Sequence, residues 1–220
     1  MDIKQYVVDF IEERVDVKDF LHEIKNNPSI FDWLQSLIPE GKMMQESYYD
    51  YENHKDVIVE IPYTAKGMYE RLFRYGGETN VGNQLDLHHW VYKLVQDAFP
   101  QEHFEYGQTL NKKFNFMLEA CPEYLLSTDI ESSGILEELM EEFPETMPKT
   151  KRIKAFKEKL KGMFFIEGQK YPRWIQASEW PLSKTGKPTK FLRQKSKGEI
   201  SFYYFLDVDT NEEIEIMQAY

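Results

Sequence analysis

The 220-residue chain has a single cysteine, Cys121. That scarcity excludes an internal disulfide and any zinc site built on paired cysteines, and it fits a reducing compartment. No run approaches the roughly eighteen apolar residues that span a bilayer. The opening residues also lack a basic stretch leading into an apolar core and a cleavage site, so a cytoplasmic protein with no membrane partner is expected.

Catalytic signatures are missing as well. His88 and His89 are adjacent, and neighbours on a helix point about a third of a turn apart, so they do not share a metal as an i, i+4 pair does. Asp207-Val208-Asp209-Thr210-Asn211 begins like a calcium loop, but Glu212 stands where the sharp turn needs Gly and Gln218 where a bidentate Glu belongs. Ser183-Lys184-Thr185-Gly186-Lys187 contains a Gly-Lys pair without the glycine-rich lead-in or the following Ser or Thr of a phosphate loop. Glu137-Glu138 and Glu141-Glu142 are expected on the solvent face of a helix, not as an acid/base pair. No catalytic residue, metal ligand or cofactor is expected.

What is present can build a sizeable core, since 41% of residues are hydrophobic and 15% aromatic. Charge is unevenly spread within a net of −11. Residues 149–198 hold 15 Lys and Arg against 3 acids, residues 199–220 hold 6 acids and no Lys or Arg, and residues 1–148 hold 12 basic against 29 acidic side chains. An acidic body with a basic band calls for a charged partner, or for the two parts to face each other.

Helical periodicity dominates the first two-thirds. Ile3, Tyr6, Val7, Phe10 and Ile11 share one helical face. Asp16 can cap a second helix carrying Val17, Phe20, Leu21 and Ile24, and Ser29 opens a third through Ile30, Leu34 and Leu37. Ala65–Tyr75, Gly82–Phe99 and Leu110–Cys121 follow. Thr128-Asp129-Ile130-Glu131 has the form of a capping box ahead of Ile135, Leu139 and Phe143. Lys149–Lys161 is a basic amphipathic helix. Residues 41–56 show no period and are expected as a surface loop, and Val57–Ile61 reads as a linker or an edge strand. Beyond the basic helix, strands are expected at Met163–Ile166, Arg173–Gln176 and Lys190–Arg193, then a hairpin of Ile200–Leu206 and Glu213–Met217. Phe202-Tyr203-Tyr204-Phe205 does not alternate, so both faces of that strand should be covered.

The expected fold is therefore α+β: a helical N-terminal two-thirds followed by a small antiparallel β-sheet packed on the helices. The chain divides by composition into an acidic, mainly helical region (1–148) and a basic helix plus sheet module (149–220), read as one continuous globular unit. Trp174 and Trp180 read as scaffold within the module, worth roughly 3 to 5 kcal/mol each on truncation to Ala.

Two surfaces stand out. Tyr48, Tyr49, Asp50, Tyr51 and Glu52 combine aromatics with acids and are candidate partner-binding residues, because Tyr is enriched in recognition patches. Lys151, Arg152, Arg173, Lys187 and Lys190, interleaved with Tyr171, Trp174, Trp180 and Phe191, are the alternative, a nucleic-acid-binding band.

Three stretches carry a family resemblance: Asp32-Trp33-Leu34-Gln35-Ser36-Leu37-Ile38-Pro39, Ala120-Cys121-Pro122-Glu123-Tyr124, and Lys149-Thr150-Lys151-Arg152-Ile153-Lys154 leading to Pro172-Arg173-Trp174-Ile175-Gln176 and Glu179-Trp180-Pro181. In these the chain resembles a bacterial family found among the immunity proteins of polymorphic toxin systems. The resemblance implies a non-enzymatic protein that neutralises a cognate toxin by occluding its active site. An acidic body is suited to a basic, phosphate-binding cleft.

Overall fold

Three side-chain caps set the first three helices. Asp2 accepts from the Gln5 amide at the start of α1 (Ile3–Ile11), and Asp16 accepts from the Lys18 amide at the start of α2 (Val17–Asn26). Asn27 closes α2 and opens α3 (Pro28–Ser36) by accepting from the Ser29 amide, so the cap lies two residues before the expected Ser29. Pro28 then occupies the first helical position, where its missing N–H costs nothing. The computed structural model describes residues 1–165 and 171–220.

After α3 the chain forms a two-stranded antiparallel hairpin, β1 (Met43–Asp50) and β2 (Lys55–Pro62), where a surface loop was expected. Helices α4 (Ala65–Leu72), α5 (Val81–Ala98), α6 (Thr109–Ala120), α7 (Thr128–Ser132), α8 (Ile135–Glu141) and α9 (Lys149–Phe164) follow. The chain ends in β3 (Lys190–Lys197), β4 (Ile200–Leu206) and β5 (Glu213–Ala219), an antiparallel sheet in that order. The fold is α+β, with two antiparallel sheets and the three-stranded one at the C-terminus. Among the described residues no helix is long and apolar enough to cross a membrane.

The residues divide into two compact units. The first comprises Met1–Arg74 and Gln84–Thr109. The apolar faces of α1–α3 are buried there as their periodicity predicts, and the Phe10 and Phe20 rings stack at 3.8 Å. His88 of α5 is fully buried, edge-on to Phe10, and its Nε2–H donates to the Ile11 carbonyl at 2.8 Å. Its place is therefore a core position. Glu13 closes this end of α1, accepting from the Thr109 amide at 2.7 Å. The same side chain fills the space a Cβ at Gly107 would need, so a larger residue there would have to displace Glu13.

The second unit comprises Tyr75–Asn83 and Leu110–Tyr220. Its core joins Phe116, Met117, Phe156, Leu160 and Phe164 of α6 and α9 to Trp180 and to Phe191, Tyr203 and Phe205 of the sheet. Trp180 is 0% exposed, with Phe205 and Phe164 ring centroids 5.0 and 5.4 Å away. The alternation expected to fail in β4 is explained by its neighbours. Tyr203 and Phe205 face the core, while Phe202 and Tyr204 on the other face are half-covered.

Three local expectations are corrected. Ser127, not Thr128, caps α7: its hydroxyl accepts from the Ile130 amide while donating to the Trp180 carbonyl, a second partner that Thr128 lacks. Gly134, at φ +79°, then breaks the helical run, because a left-handed residue cannot continue an α-helix. Glu137 lies in the core, not on the solvent face, and its carboxylate meets the Lys113 ammonium at 2.6 Å.

Arg173–Gln176 is not a strand. Its backbone bonds are completed by side chains of the sheet. Gln194 accepts from the Arg173 amide, Gln218 from the Ile175 and Gln176 amides, and the Tyr203 hydroxyl donates to the Arg173 carbonyl at 2.9 Å. The expected strand at Met163–Ile166 is replaced by the end of α9, after which Phe165 makes a single parallel bridge to Phe191. Ile166 lies outside the described residues.

Candidate functional site

The β1–β2 hairpin carries the acidic tyrosine cluster. Val57, Ile58, Val59 and Ile61 give β2 its strand preference, and they pair across with Tyr48, Ser47, Glu46 and Met44. The turn at residues 51–54 is held by Asp50. Its carboxylate accepts from the Glu52 and Asn53 amides at 3.0 and 3.1 Å and from the Asn53 side-chain amide at 2.7 Å. Those bonds, the Asn53 side chain first, hold the Asp50 carboxyl below the usual carboxylate range. Asp50 is thus a positioning residue within the cluster.

Period two separates the tyrosines. Tyr48 shares a face with Met44, Glu46, Val57, Val59 and Ile61, most of which are half-buried. Tyr49 lies on the opposite face with Met43, Gln45, Ser47, Asp56, Ile58 and Glu60, all exposed. Tyr51 stands at the tip, 81% exposed, its ring edge-on to Tyr49 at 5.1 Å. Glu52 is exposed beside it. The structure therefore brings Tyr49, Tyr51 and Glu52 together and turns Tyr48 away. Met43 and Ile58, exposed by 47% and 65% on the Tyr49 face, extend that patch and were not anticipated. Their signal was the Val57–Ile61 run, which marks a strand only once its partner is known.

Five carboxylates against one lysine lie in residues 43–62. Glu52, Asp56 and Glu60 are exposed, whereas Asp50 is engaged in the turn and Glu46 meets the Arg74 guanidinium at 2.6 Å. That ion pair and the Tyr63 amide bonding the Lys42 carbonyl at 2.9 Å fix the base of the hairpin. A two-stranded sheet presents unpaired backbone groups along both edges, and this one also leaves a whole face open. Chemically it can offer carboxylates, aromatic rings and backbone hydrogen bonds to a partner.

The alternative basic residues are dispersed through the second unit. Lys151 is exposed on α9. Arg152 is engaged internally, donating to the Phe143 carbonyl at 2.6 Å with its guanidinium 3.7 Å over Phe116. Lys187 pairs with Asp209 at 2.7 Å, in a cluster where Ser183 and Thr185 hydroxyls also donate to that carboxylate at 2.6 and 2.5 Å. The Gly-Lys turn thus encloses one of the chain's own carboxylates. Arg173 is exposed on an open groove of about 440 Å³ with Tyr124, Tyr171 and Trp174, and Lys190 lies on β3. Other lysines face acids of the same unit, as Lys149–Glu119 and Lys159–Glu142 do at 2.7 and 2.9 Å.

Among the described residues no group of three His, Cys, Asp or Glu side chains gathers as a metal site. Cys121 is buried, and burial pushes its thiol up to about 12. Comparison with protein-family models, curated proteins and solved structures finds no match, so the hairpin's chemistry is the ground on which its role is argued.

Proposed function

We propose that the chain is a non-enzymatic binding protein whose β1–β2 hairpin docks into a basic cleft of a protein partner. A cognate bacterial toxin is the partner that the resemblance to immunity proteins implies. One observation carries the reading: an ordered hairpin, open along both edges and one face, that presents Tyr49, Tyr51, Met43 and Ile58 among carboxylates. Large amphipathic rings supply contact area at low entropic cost, and the acids steer the encounter with a positively charged cleft. Occluding that cleft neutralises the toxin without chemistry on this chain.

Co-expression with a toxin-like product of a neighbouring gene is the direct test. A stable complex and restored growth are expected, and replacing Tyr49 and Tyr51 together by Ala should weaken the complex by roughly a hundredfold, two hot-spot residues at about 1.4 kcal/mol each. Failure to form a complex, or full protection by the double variant, removes the reading.

A further inference from the structure

The outer face of the C-terminal sheet holds an arrangement that the hairpin reading does not use. Residues opposed across a ladder share a face. In β3 and β4 the opposed pairs are Lys190 with Leu206, Arg193 with Tyr204, Lys195 with Phe202 and Lys197 with Ile200. A bulge between Phe191 and Arg193 makes this possible. Were the strand regular through Leu192, Lys190 would point to the core side, since a shift of one reverses every side chain. Four basic residues therefore stand in one column beside a column of Ile200, Phe202, Tyr204 and Leu206.

The next column, on β5, places Met217 opposite Phe202, Glu215 opposite Tyr204 and Glu213 opposite Leu206. Arg193 crosses Tyr204 with its guanidinium 4.2 Å from the ring centre and grips the Glu213 carboxylate at 2.5 and 2.8 Å. It is thus a neutralised, flat plate lying over a ring. Lys195 and Lys197 are exposed and have no ion-pair partner among the described residues. Lys190 completes the track.

We infer that this face binds single-stranded nucleic acid. Bases stack on Phe202 and on the Arg193 plate over Tyr204, and phosphates follow Lys197, Lys195 and Lys190. Side chains two apart on a strand are about 6.7 Å apart, twice the 3.4 Å rise per nucleotide of a stacked strand. A strand laid along the face has its bases splayed apart, the form in which aromatic and guanidinium planes take them up. The cation track is one column wide, and Glu213 and Glu215 border its far side. A duplex or an anionic lipid surface would set negative charge against those acids, whereas a single strand need not.

The test is fluorescence anisotropy of the full chain with a labelled oligothymidylate of about twelve nucleotides, within the usual site sizes of single-strand binders. Three phosphate contacts predict a slope of log K against log salt near −2, and so a loss of roughly twentyfold between about 50 and about 200 mM salt. Replacing Lys195 and Lys197 by Ala should bring the slope to about −0.7. Phe202→Ala should weaken binding about tenfold at unchanged slope. Should that variant fail to fold, Phe202→Leu keeps the apolar volume while removing the stacking face, and the same loss is expected. Tyr49→Ala with Tyr51→Ala should change nothing, because the hairpin takes no part in this binding. No binding at low salt, a slope indifferent to the lysine substitutions, or tighter binding to an equally long duplex or to phosphatidylserine vesicles overturns the inference.

Discussion

At the scale of single residues, Asp209 shows how one carboxylate can organise a turn. The Lys187 ammonium, then the Ser183 and Thr185 hydroxyls, hold its carboxyl far below the usual carboxylate range. A folded-state pKa below the unfolded value of about 3.9 means the unfolded chain takes up the proton first. The contribution is fully present above that value and is lost as pH falls beneath it. Asp209→Asn should lower the thermal midpoint at pH 7 and flatten its decline below about pH 4, which melting curves across that range will show. Cys121 gives a second residue-level expectation. Burial is the largest cause raising its thiol to about 12, so almost no thiolate exists at pH 8. A disulfide reagent should leave the native chain untouched and titrate one thiol in denaturant, and rapid native labelling would contradict the burial.

Elements were legible in proportion to the clarity of their period. The faces of α1, α2, α5 and α9 could be read because a buried stripe alternates with charge every three or four residues. The hairpin could not, since Met43-Met44 and Tyr48-Tyr49 put like residues on both faces of β1 and erase the period of two. Its cluster was therefore found by composition, while the split between Tyr48 and Tyr49 waited on the strand. The bulge in β3 had the same effect on the basic column, because one inserted residue decides where Lys190 points. The C-terminal tryptophans were legible as scaffold, and they differ in burial. Trp180 is fully enclosed and donates to the Thr189 carbonyl at 3.2 Å, so Trp180→Ala should cost about 4 kcal/mol. Trp174 is half-buried, donates to the Tyr124 carbonyl, and should cost about 3 kcal/mol on the same change. Denaturant titration of the two variants measures both, and equal, negligible losses would deny them a scaffold role.

At the scale of the whole molecule, neither unit is continuous in sequence. Residues 75–83 belong with the C-terminal unit, where Thr79 donates to the Ser132 carbonyl at 2.6 Å across 53 positions. No local pattern announces a partnership over that distance. The change from acidic to basic composition at 148/149 falls inside the second unit, so charge and compactness partition the chain differently.

The completion of residues 173–177 by the sheet's side chains also has a bearing on the order of assembly. Gln218 supplies bonds to Ile175, Gln176 and Ala177, more than forty positions earlier. Those amides and carbonyls find their partners only once β4 and β5 have paired and set Tyr203 and Gln218 in place. The segment is then a late step in folding, with a high loop-closure cost and few contacts of its own to hold it beforehand. Gln218→Ala should accordingly leave the sheet intact but speed trypsin cleavage after Arg173, as mass spectrometry of limited digests will resolve. Ribosomal synthesis would present Arg173 well before its clasp exists, leaving that stretch open to proteases until the final strand emerges.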